Sequence, residues 1–130
     1  MSDPIKVIFA ALVILQLKHF LCDFVLQTPY QFLNKGKYGH PGGIIHAGLH
    51  AVTSIPVFFL ITPSWPLGVA IVLGEFAVHY HVDWSKEQTV RRRQWVFPQA
   101  EFWWTFGADQ IMHQFTYIAI VAVLAVGAGL

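Results

Sequence analysis

Five histidines and three aspartates fall into four pairs, each pair four residues apart: His19 with Asp23, His46 with His50, His79 with Asp83, and Asp109 with His113. Imidazole nitrogens and carboxylate oxygens are the ligands that Zn²⁺, Mn²⁺ and Fe²⁺ accept. A spacing of four puts both members of a pair on one face of a helix, one turn apart. Four such faces turned toward one another would bring all eight ligands to one place. The expected cofactor is therefore a divalent metal, zinc first with manganese or iron as alternatives, and one or two ions. Two ions would set four positive charges against the three carboxylates, and a bound hydroxide would close the balance. Glu75, one turn before His79, is the candidate catalytic residue, a base acting from behind the metal. Gln16 and Gln27 extend the His19/Asp23 stripe. His81 points off the His79/Asp83 stripe and His40 falls in a loop, so neither is placed at the site.

Plainer readings exist for each pair. A histidine at a helix end is ordinarily a hydrogen-bonded residue, and Asp109 suits an early helical position through the dipole. The eight side chains together could form an interhelical hydrogen-bond and ion-pair network. Axial ligation of haem or chlorophyll is a further reading, in which a carboxylate one turn away is an awkward neighbour for an apolar macrocycle.

The elements that must carry these pairs follow from composition. Of the 130 residues, 55% are hydrophobic and 12% charged, where a soluble domain carries about 25% charged residues. Such a chain cannot cover a water-facing surface with charge. Crossing a bilayer takes about 20 mostly apolar residues, and four stretches qualify: 5–27, 43–61, 66–83 and 108–130. The stretch 5–27 is too long for a signal-peptide core and no small-residue cleavage site follows it, so it reads as a retained helix. The expected fold is all-α: an integral membrane four-helix bundle forming a single transmembrane domain over 1–130. Residues 28–41 read as a polar loop and 62–66 as a Pro-punctuated turn. Within 84–107 the run Phe102-Trp103-Trp104 suits a short interfacial helix between the third and fourth spans. Cys22, the one cysteine, excludes an internal disulfide.

Basic residues sort by side: Lys35 and Lys37 in the first loop, Lys86 and Arg91–Arg93 in the third, none in the second. The positive-inside rule puts loops one and three in the cytoplasm and both termini outside. With that topology all four His/Asp pairs fall in the cytoplasmic half at similar depth. The spans rest on hydropathy and the orientation on Lys and Arg, so the shared depth of the pairs is independent of both. Ionisable groups at such depth are costly and face a bundle interior or a water-filled cavity.

The run His19-Phe20-Leu21-Cys22-Asp23-Phe24-Val25-Leu26-Gln27-Thr28, followed by Asn34-Lys35 and by His46-Ala47-Gly48-Leu49-His50, resembles a bacterial family of small polytopic membrane proteins of unknown function whose motif is His-Phe-Leu-x-Asp-Phe-x-Leu-Gln-Thr. Asp109-Gln110-Ile111-Met112-His113 resembles that family's Asp-Gln-x-x-His in the final helix. The resemblance runs through the whole chain in order, with 84–107 its least matched part. It implies a polytopic membrane fold and no activity. More distantly, the helix-borne His and Asp pairs are similar to those of membrane-bound metal-dependent hydrolases, an analogy of sites only.

The expectation is an integral protein of the bacterial inner (cytoplasmic) membrane: a metalloprotein, and within that class a metal-dependent hydrolase acting on a lipid-like or amphipathic substrate at the cytoplasmic face. Two alternatives use the same residues. One is a non-enzymatic accessory subunit of a larger membrane complex, the other a metal or proton carrier. Membrane lipids are the expected partners, with a larger membrane complex or a homo-oligomer beside them. A net charge of +1 gives no case for nucleic acid.

Overall fold

The computed structural model describes residues 3–130. Residues 1 and 2, which belong to the expected 1–130 domain and carry its outward N-terminus, lie outside the described residues. All regular structure among the described residues is helical. Helix α1 spans Pro4–Phe20 and passes into a π-helical turn, Leu21–Val25. Then come α2 (Pro29–Asn34), α3 (Pro41–Val52), a 3-10 helix (Ile55–Phe59), α4 (Trp65–Arg93) and α5 (Ala100–Ala128).

The boundaries have local causes. Asp3 caps α1 by accepting the Ile5 N–H at 3.0 Å, with Pro4 at the first helical position, where its missing N–H costs nothing. Thr28 and Gln31 form a capping box: the Thr28 hydroxyl accepts the Gln31 N–H and the Gln31 side chain accepts the Thr28 N–H. This starts α2 within 28–41, the segment expected to be a loop. The signal was in the sequence, because Thr-x-x-Gln is a helix-start signature. His40, set aside as a loop residue, caps α3 by accepting the Gly42 N–H on its Nδ1 at 3.0 Å. Helix α3 breaks ahead of Pro56, which has no N–H to continue the ladder. The carbonyl of His50 is freed by that break.

Three helical segments are long and apolar enough to cross a membrane: Pro4–Val25, Pro41–Phe59 and Ala100–Ala128. They match the expected spans 5–27, 43–61 and 108–130 to within a few residues at most ends. The expected third span, 66–83, lies inside α4, whose length suffices but whose Glu75, His79, His81 and Asp83 dilute its apolar content. The expected short interfacial helix is not a separate element. No glycine or proline interrupts 84–93, so α4 continues to Arg93, and Phe102-Trp103-Trp104 form the opening turns of α5.

Helix α4 packs between α3 and α5, α1 packs on α5, and α2 lies across α3. The interior is divided along its length. One half is an apolar layer that includes Leu15, Val57, Ile61, Ile71, Ile120 and Leu124. The other half is polar: Lys18, Glu75, Lys35 and all the paired histidines and aspartates but Asp23 are buried, and Asp23 is half-buried. The exterior is the reverse, with Phe9, Val13, Phe59, Trp65 and Val126 all exposed. Charge inside and hydrocarbon outside is an arrangement for an apolar solvent.

Candidate metal centre

The four expected pairs arrive from α1 with its π turn, α3, α4 and α5. His19 sits in the last turn of α1 and Asp23 in the π turn, where the Leu26 N–H bonds back five residues to Leu21 at 2.8 Å. A π turn inserts one extra residue into a helix and recurs at functional sites. Here it holds Asp23 inward. One carboxylate oxygen, Oδ1, lies 3.0 Å from His50 Nε2 and 3.2 Å from His46 Nε2, and the other lies 3.2 Å from His19 Nε2. Helix α3 supplies His46 and His50, and α4 supplies His79, whose Nε2 is 3.3 Å from that of His46. The His79 ring is stacked between His50 and His113, with centroids 3.8 and 4.1 Å away.

Two groups of ligand atoms result, each with all its atoms within 4.8 Å of one another: Asp23, His46, His50 and His79, and then His79, Asp83 and His113. An ion with tetrahedral ligands at about 2.0–2.1 Å sets neighbouring ligand atoms about 3.3 Å apart. The first group has such separations at 3.0, 3.2 and 3.3 Å. His46 Nε2 also faces Asp83 Oδ2 at 3.2 Å. A single ring N–H cannot serve Asp23, Asp83 and His79 at once, whereas a cation among them satisfies every lone pair. At the second group and beside it, Asp83 Oδ2, Asp109 Oδ1 and His113 Nε2 make no hydrogen bond of good geometry, although His46 and Lys35 lie 3.2 and 3.4 Å from Asp83 Oδ2. His113 Nε2 lies 3.5 Å from both Asp83 Oδ1 and Asp109 Oδ1. Poorly satisfied buried polar atoms are expensive, and these three converge. The ligand set fits a divalent metal. His79 can give Nε2 to one ion only, so a second ion would rest on Asp83, Asp109 and His113.

His19 and Asp109 stand at the margin. His19 Nε2 is 3.0 Å from Gln110 Oε1 as well as 3.2 Å from Asp23, and Asp109 reaches the cluster through His113. Glu75 contributes no atom to either group. Its carboxylate is in contact with the Lys18 ammonium, and both are buried.

Several neighbours were not placed at the site by sequence. Lys18 donates to the freed His50 carbonyl at 2.9 Å as well as to Glu75. Lys35, at the end of α2, lies 3.4 Å from Asp83 Oδ2. Burial alone would lower its pKa, but Asp83, Asp23 and Asp109 outweigh that and raise it, so Lys35 is a cation. Tyr117 sets its hydroxyl 2.8 Å from His19 Nδ1 and 3.5 Å from His50 Nδ1. It thus sits behind two rings whose Nε2 atoms face the cluster. Tyr117 continues the Asp109/His113 spacing of four, so periodicity could have found it. No sequence signal marks Lys35 as buried.

The lysines change the charge count. Asp23, Asp83, Asp109 and Glu75 bring four negative charges, and Lys18 and Lys35 two positive ones. With neutral histidines the site carries −2, the complement of one divalent ion. The sequence-based balance of two ions and a hydroxide left out the lysines and Glu75.

Residues 11–129 match the protein family described as Protein of unknown function (DUF3307). No curated protein and no solved structure matches the chain.

Proposed function

Because the chain belongs to the DUF3307 family, whose description names no activity, function rests on the site, and we propose a membrane metalloprotein that holds a divalent metal at the His/Asp cluster and uses it for hydrolysis of an amphipathic substrate. One observation carries this reading: the ligand atoms of Asp23, His46, His50 and His79, and in a second set those of His79, Asp83 and His113, lie within 4.8 Å of one another, with His113 Nε2 lacking a hydrogen-bond partner. Zinc suits the mixture of imidazole and carboxylate.

The fold proposed is a four-span bundle in the bacterial inner membrane, termini outward and the cluster toward the cytoplasm. Three segments meet the length and apolarity that crossing requires. The fourth, α4, buries Glu75, His79 and Asp83 while exposing Val69, Leu73 and Val78, as a span with a polar inner stripe does.

The metal would lower the pKa of a bound water and polarise the scissile group. With one ion held by Asp23, His46, His50 and His79, Asp109 is left free of the metal and is the base favoured here, because it lines the cavity beside the cluster and Glu75 does not. Glu75 is engaged by Lys18 and acts as charge balance. Water adds across the scissile bond: its oxygen ends on the electrophilic centre, and the proton taken by Asp109 passes to the leaving oxygen.

A structural role remains the second reading, in an accessory subunit, and a specific observation favours it: the Lys18–Glu75 and Lys35–Asp83 pairs and the His–Asp contacts partly satisfy one another without an ion. The carrier reading is disfavoured by the apolar layer on the far side of Tyr117.

Detergent-purified protein should contain one or two first-row divalent ions per chain, and His46→Ala with His50→Ala should lose most of that metal while still inserting. Prolonged chelation should lower the melting temperature of the wild type, because the metal binds the folded form. A full metal complement in the double variant, or melting indifferent to chelator after long incubation, would sink the metal reading and promote the structural one.

A further inference from the structure

We propose that the cavity beside the cluster receives the phosphate group of a lipid-like phosphate, with Lys35 and Lys86 as its ammonium donors. This deepens the metal-hydrolase reading and rests on it.

The cavity has a volume of about 210 Å³ and lies between the π turn, α2, α4 and α5. Asp23 and Asp109 form part of its lining, so an occupant there is in reach of the metal ligands. Lys35 and Lys86 also line it. Lys35 is buried against Asp83, and Lys86 pairs with Glu87 at 2.6 Å with most of its side chain covered. Two ammonium groups beside a metal make a site for a compact, multiply charged oxyanion. Gln27 and Gln110 add amide groups to the same lining. The Gln27 amide nitrogen now lies 3.3 Å from His46 Nε2, and a metal on that nitrogen would release the amide N–H to an occupant.

The mouth says what the phosphate is attached to. Phe24 and Phe32 line the cavity and are both more than half exposed, at 59% and 54%. Phe24 stands at the end of the apolar segment Pro4–Val25, and Phe32 lies on α2 just beyond it. A phosphate seated at the lysines therefore has its substituent leaving past two outward-facing rings, which suits an alkyl or prenyl chain better than a sugar or nucleoside.

The test uses full-length, metal-loaded protein in a non-ionic detergent, with three probes: dodecyl phosphate, inorganic phosphate and dodecyl trimethylammonium. Dodecyl phosphate should raise the melting temperature and bind at least about tenfold more tightly than inorganic phosphate. Lys86→Gln should weaken dodecyl phosphate by about tenfold, the scale of one charged hydrogen bond, and leave the metal content unchanged. Lys86→Arg should retain most of the binding. Equal affinity for inorganic and dodecyl phosphate would overturn the lipid assignment and leave a free-phosphate site. Binding that survives both Lys86→Gln and Lys35→Gln, or equal binding of the cationic amphiphile, would overturn the phosphate site altogether. Absence of metal from the wild type is a separate failure, of the metal reading, and is read in the same samples before any probe is added.

Discussion

At the scale of the residue, the informative contacts are those behind the ligands. Tyr117 places one hydroxyl beside the Nδ1 atoms of His19 and His50. When Nε2 ligates a metal, Nδ1 carries the proton, and a hydroxyl oxygen that accepts it fixes both tautomer and ring orientation. Tyr117→Phe should therefore lower metal affinity by about 10- to 100-fold, while the melting temperature of the chelated protein changes little. Competition against a fluorescent chelator measures the first and thermal unfolding the second. A drop in stability with undiminished affinity would mean that the hydroxyl is structural. Lys18 poses the opposite case. Its ammonium is buried between Glu75 and the His50 carbonyl, and removing one member of a buried ion pair costs about 3–5 kcal/mol because the other charge is left unpaired. Lys18→Met alone should be strongly destabilising, and Lys18→Met with Glu75→Leu should recover most of the loss. Failure of the double variant to recover would give Glu75 a role beyond pairing with Lys18.

At the scale of the element, irregularities do the positioning. The π turn turns Asp23 inward, and the break before Pro56 hands the His50 carbonyl to Lys18. Helix α2 reaches the site only because α3 begins with glycines: a Cβ on Gly42 would stand 2.7 Å from the Tyr30 carbonyl oxygen and 3.0 Å from Asn34 Cβ. A backbone oxygen cannot swing aside as a side chain can. Gly42→Ala should push α2 outward, carry Lys35 away from Asp83, and cost about 1–3 kcal/mol. Gly74→Ala is the control, with open space around it, and should be neutral or stabilising by about 0.5–1 kcal/mol through helix propensity. Both are read as shifts in unfolding midpoint. The same irregularities mark the limit of what the sequence disclosed. Spacings of four survive any regular helix, so the four pairs were legible. A carboxylate set by a π turn, or a lysine buried because a neighbouring helix starts with Gly-Gly, depends on packing that periodicity does not encode. Helix α2 within 28–41 and the continuous start of α5 have simpler sequence signals: the Thr28/Gln31 capping box, and a run from 100 that no glycine or proline breaks before Gly107.

At the scale of the whole molecule, the question is which way it sits. Arg91–Arg93 close α4 at the end that carries the cluster, and the uncharged 62–64 turn lies at the other. With Cys22 replaced, a cysteine at position 64 should react with an impermeant reagent added outside cells, and one at position 85 should react only after the membrane is opened. The reverse pattern would invert the molecule, with the cluster then facing outward. Either way the apolar layer through Leu15, Val57 and Leu124 closes the end of the interior away from the cluster. That closure leaves the cluster no polar route to the far end of the interior. On the hydrolase reading proposed above, a substrate that enters beside Phe24 and Phe32 would leave on the same side of the apolar layer. A lipid processed there would change the composition of one leaflet alone until something else carried it over.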